Sequence, residues 1–212
     1  MDKNFWHQKW ERNEIGFHEP AANPLLVTSI NRLSLGNGSR LFLPLCGKTL
    51  DIPWLLANGF RVAGAELSRM AVEQLFAELG VEPEIARVGA VDQYSAKDLD
   101  IFVGDIFDLS GALLGPVDAV YDRAALVALP ADMRQCYTTH LTEITARAPQ
   151  LLICYEYDQS LLEGPPFSIS GEEVQQHYGD SYQVDLLTTR KVPGGLRRLD
   201  AVQETVWLLK HR

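Results

Sequence analysis

Four groups of polar or small residues directly follow short apolar runs, and their types are suited to ligand binding and catalysis. Gly47 follows the first run, Glu66 the second, Asp105 the third, and the pair Asp122 and Arg123 the fourth. Ligands of open parallel sheets bind at the carboxyl ends of the strands. Three of the four groups contain a carboxylate, and a buried strand end does not hold an unpaired charge cheaply. We therefore predict a ligand site at these strand ends.

The spacing between Gly47 and Glu66 is typical of a nucleoside site. Gly47 lets the backbone pass close to a ligand, and Glu66 follows 19 residues later. An acidic residue about 20 residues beyond such a turn hydrogen-bonds ribose hydroxyls. Ser68 is the better cap for the next helix, which favours the ligand role for Glu66. Asp105 could accept from an adenine amino group or cap a helix, and the sequence leaves both open.

The turn around Gly47 lacks the features of phosphate-binding loops. A dinucleotide site needs Gly-x-Gly-x-x-Gly so that pyrophosphate can rest on a helix N-terminus, but here one glycine follows Pro44-Leu45-Cys46. A P-loop would need glycine at position 42, where Phe42 stands. A nucleoside without phosphate needs a less close approach, and S-adenosylmethionine is such a nucleoside.

Other chemistries find little support. Cys46 could be an activated thiolate at a helix N-terminus, but a phosphatase-type loop would need arginine where Ile52 stands. A small buried hydrophobe is the favoured role for Cys46. No metal site is predicted, since metal-ligand spacing is missing among the histidines, which are His7, His18, His140, His177 and His211.

The order of apolar segments predicts an α/β protein. We predict strands over 40–45, 61–67, 99–103, 117–121 and 151–155, and helices over 24–35, 50–58, 70–79 and 133–146. Strands that alternate with helices imply a doubly wound parallel sheet. Segments 182–192 and 201–209 flank Pro193-Gly194-Gly195 and predict an antiparallel hairpin.

We interpret residues 1–212 as a single domain in three parts. Residues 1–39 form an N-terminal helical cover, 40–155 a cofactor-binding core, and 156–212 a C-terminal helix and antiparallel strands. The cover is rich in aromatic residues at helical spacing, with Phe5, Trp6 and Trp10 before a break at Gly16. These rings either close over a ligand or pack on the core, and for Phe5 and Trp6 both interpretations stay open.

Charge and cysteine content limit the partners. The 212 residues carry a net charge of −9, which disfavours nucleic-acid binding. No apolar run is long enough to cross a bilayer, and the polar N-terminus lacks a signal-peptide core. Three widely spaced cysteines argue against a disulfide framework. We therefore expect a cytoplasmic protein without nucleic-acid or membrane partners. We also expect it to be a monomer.

Five ordered motifs resemble those of the thiopurine S-methyltransferases. They are Trp6-x3-Trp10 with Gly16-Phe17-His18, Phe42-Leu43-Pro44-Leu45-Cys46-Gly47-Lys48, Gly64-x-Glu66-Leu67-Ser68, Gly104-Asp105-Ile106-Phe107-Asp108-Leu109, and Tyr121-Asp122-Arg123-Ala124-Ala125-Leu126-Val127-Ala128. The acidic, compact chain is more similar to the bacterial branch than to an animal one. The resemblance implies a Rossmann-like, seven-stranded, mostly parallel sheet with a C-terminal antiparallel hairpin and a mobile N-terminal cover.

The resemblance also implies methyl transfer from S-adenosylmethionine to an aromatic or heterocyclic thiol such as a thiopurine. It places Trp10, Leu45, Glu66, Asp105, Ile106 and Arg123 at the cofactor, and Phe17 and Arg123 at the acceptor. A further C-terminal arginine of the family has two candidates here, Arg197 and Arg198. Selenium or tellurium compounds, or another small nucleophile, are alternative acceptors.

The chemistry of thiol methylation suits a fixed cation. An aromatic thiol ionises readily, so a cation that holds the thiolate replaces a strong general base, and arginine stays charged when partly buried. We predict this catalytic role for Arg123. In the other interpretation Arg123 anchors its loop by a salt bridge to Asp122 or Asp105. A nucleoside-binding protein without turnover is also compatible with the sequence, whereas the missing glycines disfavour an oxidoreductase.

Overall fold

The computed structural model describes residues 3–16, 18–197 and 199–212. Its strands are β1 (Arg40–Pro44), β2 (Arg61–Glu66), β3 (Glu84–Val88), β4 (Val91–Ala96), β5 (Leu99–Val103), β6 (Ala119–Arg123), β7 (Gln150–Glu156), β8 (Tyr182–Lys191) and β9 (Gln203–His211). Its helices are α1 (Lys3–Glu11), α2 (Pro24–Ser29), α3 (Asp51–Ala57), α4 (Arg69–Leu79), α5 (Gly111–Leu114), α6 (Ala131–Ile144) and α7 (Gly171–Tyr178).

The strands of the described segments form one sheet in the order β3-β4-β5-β2-β1-β6-β7-β9-β8. The five central strands, from β5 to β7, are parallel. They are nearly continuously buried, as is typical of strands covered on both faces by helices. At the other end β9 pairs antiparallel with β7 and β8. The α/β fold and the C-terminal antiparallel hairpin are thereby confirmed.

The predicted number of seven strands is wrong, because the sheet has two more. β3 and β4 form a hairpin that pairs antiparallel with β5. β3 exposes every side chain except the half-buried Val88, and β4 buries only Val91 and Tyr94. Backbone pairing with β5 stabilises this edge hairpin, so its sequence carries little of the apolar alternation that identifies a strand.

β6 begins two residues later than predicted, and this shift decides the direction of two side chains. Asp122 and Arg123 belong to the strand itself, so they point to opposite faces. Val120 lies with Tyr137 of α6 in the core on one face, and Asp122 accepts a hydrogen bond from Tyr137 there. On the other face Tyr121 packs in the core formed with α2, α3 and α4.

In the described parts of the chain, no helix combines the length and the apolar character needed to cross a membrane.

Candidate functional site

A cavity of about 370 Å³ lies at the carboxyl ends of the central strands, with α1 along one side. Four of the residues predicted for the cofactor line it, namely Trp10, Leu45, Glu66 and Arg123. They come from α1, the loop after β1, the end of β2 and the end of β6. The structure therefore brings together residues that are more than 100 positions apart in the sequence.

The loop after β1 passes close to Trp10 because of its backbone conformation. Leu45 and Gly47 both have positive φ, at 47° and 54°, a region that favours glycine and strains other residues. A Cβ on Gly47 would lie 3.0 Å from Cζ2 of Trp10. Gly47 is thus required both by its φ and by the approach of the indole ring.

Glu66 joins this loop to the start of α4. Its side chain is buried, and Oε2 accepts a 2.7 Å hydrogen bond from the Gly47 N–H while Oε1 accepts one of 2.7 Å from the Ser68 N–H. Burial raises the pKa of Glu66, although the hydrogen bonds from Ser68, Gly47 and Leu67 oppose the shift. Each carboxylate oxygen has a further lone pair, so Glu66 can also accept from a ligand hydroxyl.

Arg123 forms an ion pair across the cavity. Its guanidinium donates from Nη2 to Oε1 of Glu19, which lies in the segment between α1 and α2. Burial opposes the charge, but Glu19 and the hydroxyls of Tyr121 and Tyr155 leave the pKa of Arg123 raised. Arg123 is therefore a fixed cation at the carboxyl end of β6.

Asp122 lies away from the cavity, on the opposite face of β6. Its fully buried carboxylate accepts hydrogen bonds from the Tyr137 hydroxyl at 2.7 Å and from the Leu126 N–H at 3.1 Å. Burial raises the pKa of Asp122 to about 6. The sequence allows Asp122 or Asp105 as a salt-bridge partner that anchors the loop of Arg123. The ion pair that the structure shows for Arg123 is with Glu19.

Asp105 and Ile106 lie outside the lining of this cavity. Asp105 caps a 3-10 turn over Ile106–Asp108 by accepting a 3.1 Å hydrogen bond from the Phe107 N–H. Ile106 is buried, with its carbonyl 2.8 Å from Nε2 of His140. A second pocket is lined by Leu67, Ser68 and Gly104, the chain neighbours of Glu66 and Asp105. The cofactor roles of Asp105 and Ile106 stay predictions.

The residues predicted for the acceptor are only partly described. Phe17 and Arg198 lie outside the described residues. Arg197, the other candidate for the C-terminal arginine, lines the cavity and is exposed.

Several lining residues were missed by sequence reasoning. Asp51 is buried and accepts hydrogen bonds from the Asn23 N–H at 2.6 Å and the Tyr121 hydroxyl at 3.0 Å. A carboxylate next to apolar Ile52 at the start of a buried helix is a signal that could have identified it. Glu19 carries no such local signal, because its role depends on a partner 104 residues away.

His18 and Cys46, which also line the cavity, have pKa values shifted in opposite directions. Burial, together with the charge of Lys48, lowers the pKa of His18. Burial and the charge of Glu66 raise the pKa of the Cys46 thiol well above its ordinary value. The shift opposes a thiolate and agrees with the interpretation of Cys46 as a packed, small side chain.

Comparisons with known proteins agree with the resemblance in the motifs. The family model described as "Thiopurine S-methyltransferase (TPMT)" matches residues 1–212. A thiopurine S-methyltransferase from Xanthobacter autotrophicus is 58% identical over 211 residues, which cover 99% of each chain. One from Gluconobacter oxydans is 49% identical over 203 residues, covering 96% of this chain and 92% of its own.

Solved structures show the same fold at low identity. An SAM-dependent methyltransferase from Anabaena variabilis aligns with a TM-score of 0.66 at 15% identity, covering 99% of this chain and 95% of that one. The 1,6-didemethyltoxoflavin-N1-methyltransferase of Burkholderia thailandensis, solved with bound 1,6-didemethyltoxoflavin and S-adenosylhomocysteine, aligns with a TM-score of 0.67 at 14% identity. The match covers 99% of this chain and 87% of that one.

Proposed function

Because the chain belongs to the thiopurine S-methyltransferase family, we propose that it transfers the methyl group of S-adenosylmethionine to aromatic and heterocyclic thiols in the cavity beside α1. The observation that carries this proposal is the meeting of Trp10, Leu45, Glu66 and Arg123 around one cavity. The carboxylate of Glu66 can accept hydrogen bonds from hydroxyls and the Trp10 ring forms an aromatic wall, which suits a nucleoside. The fixed cation of Arg123 suits an ionisable thiol.

The cofactor end of the cavity is assigned to Glu66, Leu45 and Trp10. S-adenosylmethionine, when bound, supplies a methyl group on a positively charged sulfonium. The residues fit this group: the spare lone pairs of Glu66 accept from hydroxyls, and the backbone turn at Gly47 keeps the approach open. The Trp10 ring offers an apolar wall and a negative π face to a cation.

The acceptor end is assigned to Arg123. Its guanidinium lowers the free energy of a thiolate relative to a thiol, and the planar fork of donors fixes the position of the sulfur. The α1 segment, with Phe5, Trp6 and Trp10 in the lining, excludes water and so strengthens these electrostatic interactions. Alignment and water exclusion then supply much of the rate acceleration.

Asp105, Ile106 and Phe17 keep their predicted roles as proposals. Glu66 pairs in register with Val103 of the neighbouring strand β5, so Asp105 and Ile106 follow a strand end beside that of Glu66. This adjacency supports a place for them near the adenine. Phe17 directly precedes His18, which lines the cavity, and this supports its role as an acceptor contact.

We also propose that the chain works as a single-domain monomer in the cytoplasm. The cysteines are free, as is ordinary in a reducing compartment. A net charge of −9 gives no support to nucleic acid or an anionic membrane as a partner.

The proposed function is tested by binding and turnover together. Calorimetry with S-adenosylmethionine and with NAD should show binding of the first alone. Mass spectrometry should then detect the methyl thioether after incubation with a panel of aromatic and heterocyclic thiols. Binding of NAD, or binding of S-adenosylmethionine with no thiol methylated, would contradict the proposal.

A further inference from the structure

The ion pair between Glu19 and Arg123 connects the two sides of the cavity. The Arg123 side chain is 9% exposed at the end of β6, whereas that of Glu19 is 37% exposed in the segment between α1 and α2. Both residues line the cavity. An anionic group of a ligand that approaches Arg123 therefore meets the carboxylate of Glu19 as well.

Two further buried charges of the cavity are carboxyl groups. Glu66 is 6% exposed and Asp51 is 1% exposed. Their hydrogen-bond donors in the structure are backbone N–H groups and the Tyr121 hydroxyl. This arrangement suits a cationic sulfonium and is unfavourable for a second anion.

In the part of the chain that the structure describes, the remaining cations of the lining are either paired with a carboxylate or exposed to solvent. Lys9 donates to Glu14 at 2.5 Å, and Lys48 donates to Glu78 at 2.7 Å. Arg197 lines the cavity at an exposed position, where solvent weakens an ion pair. An additional carboxylate on the acceptor would thus compete with a protein carboxylate at Arg123, Lys9 or Lys48.

We propose that Glu19 determines acceptor specificity, selecting thiols whose ring carries no carboxylate over thiols that do. The inference rests on the proposed function, since it concerns the acceptor end of the same cavity. A ring that ionises only at sulfur can share the five N–H donors of Arg123 with Glu19. A carboxylate beside the thiol adds a charge that faces Glu19 in a partly buried site, where like charges repel more strongly than in water.

The test compares two acceptors that differ in charge and little in shape, 2-mercaptobenzoate and 2-mercaptobenzamide. The measured quantity is the ratio of their kcat/KM values, benzoate over amide. In the Glu19→Gln variant we expect this ratio to rise about tenfold. In Glu19→Asp, which keeps the charge, the ratio should stay closer to that of the wild type than to that of Glu19→Gln.

Glu73→Gln is the matched control. It removes the same charge at an exposed position of α4 outside the cavity lining, so the ratio should stay within about twofold of the wild type. An equal rise in both Gln variants would overturn the proposal, because it would show an effect of net charge alone. An unchanged ratio in Glu19→Gln would overturn it as well.

Affinity provides a second readout that does not depend on turnover. Calorimetry in the presence of S-adenosylhomocysteine gives the Kd of each acceptor, and Glu19→Gln should shift the ratio of the two Kd values toward the benzoate about tenfold. If neither compound is methylated but this shift occurs, the specificity role of Glu19 stands and the proposed function fails for these acceptors. If both are methylated without a shift in either ratio, Glu19 loses its role and the proposed function stands.

Discussion

The carboxylate of Glu66 and the backbone N–H of Gly47, 19 residues apart in the sequence, form a hydrogen bond of 2.7 Å. The spacing that predicts a ribose contact is therefore also the spacing of a direct contact between β2 and the loop after β1. Because the other carboxylate oxygen accepts from the Ser68 N–H, Glu66 shapes the two turns that border the cavity. Its proposed ligand role depends on a side chain that these hydrogen bonds already hold in place.

The first prediction concerns Glu66→Gln. The amide keeps one acceptor oxygen but places an NH₂ group against the Gly47 or Ser68 N–H, so one backbone donor loses its partner. We expect the affinity for S-adenosylmethionine to fall about tenfold or more, and stability to fall by about 1–3 kcal/mol. Calorimetry and urea unfolding measure the two effects.

Glu73→Gln, at an exposed position of the following helix α4, is the control and should change neither the cofactor affinity nor the stability. A folded Glu66→Gln variant with wild-type affinity would remove Glu66 from the cofactor site.

The second prediction concerns Trp10→Ala. Trp10 is 5% exposed and its ring lies against Gly47, so truncation removes a large apolar contact from the cavity wall. We expect cofactor affinity to fall about tenfold and stability to fall by up to about 3 kcal/mol. Trp10→Phe keeps an aromatic ring, so its cofactor affinity and stability should lie between those of the wild type and those of Trp10→Ala. Equal cofactor affinity in all three proteins would show that Trp10 only packs on the loop.

The third prediction concerns the dynamics of the N-terminal cover. Lids belong to the less stable parts of a fold, and α1 and the residues after it supply one wall of the cavity. Amide hydrogen exchange over residues 3–16 should slow when S-adenosylhomocysteine and an acceptor are both bound. Exchange in α7, which lies outside the lining, should not change. Equal exchange of residues 3–16 with and without ligands would identify this segment as ordinary packing.

The fourth prediction concerns the charge of Arg123. Arg123→Lys keeps the charge but loses the planar fork and should be partly active, whereas Arg123→Ala should be slower by about 10²-fold. If the cation stabilises the bound thiolate, its loss raises the pKa of the bound thiol. The acidic limb of the pH profile of kcat should then move to higher pH.

A purely structural role of Arg123 predicts a different outcome. The variants would lose thermal stability, since the ion pair with Glu19 is broken, and the pH profile of the remaining activity would not move. Thermal unfolding and the pH profile, measured on the same preparations, separate the two roles.

The fifth prediction concerns Asp122 and the pH dependence of stability. Burial raises its pKa from 3.8 to about 6, so the folded state binds a proton more tightly than the unfolded state does. The contribution of Asp122 to the free energy of unfolding is fully present below pH 3.8 and is lost as pH rises through about 6. At neutral pH the loss amounts to about 3 kcal/mol. Asp122→Asn should therefore gain stability relative to the wild type as pH rises from 4 to 7.

Tyr137→Phe tests the same site by removing the hydroxyl that donates a hydrogen bond to Asp122. The Tyr137 hydroxyl donates to the carboxylate and lowers its pKa, so its removal raises the pKa of Asp122 further. The destabilisation of Tyr137→Phe should grow as pH rises. Urea unfolding at several pH values measures both variants, and parallel curves for wild type and Asp122→Asn would contradict the assignment.

Sequence reasoning predicted the central sheet well where strands are buried on both faces. The prediction for 99–103 matches β5 residue for residue, and that for 61–67 differs from β2 by one position. It failed for the hairpin of β3 and β4, whose stability comes from backbone pairing with β5. A pattern of side chains carries little information about the hydrogen bonds that the backbone makes with a neighbouring strand.

The same distinction applies to the candidate site. Five ordered motifs were sufficient to predict the family and the fold class, and the resemblance alone implied Trp10 and Leu45 as lining residues. Glu66 and Arg123 could also be predicted from their places at strand ends, because a parallel sheet brings the carboxyl ends of its strands together. Only the tertiary structure decided that Arg123 pairs with Glu19 while its neighbour Asp122 bonds to Tyr137 on the other face. Ion pairs form between groups that are close in space, and a separation of 104 residues leaves no local pattern from which such a partner could be predicted.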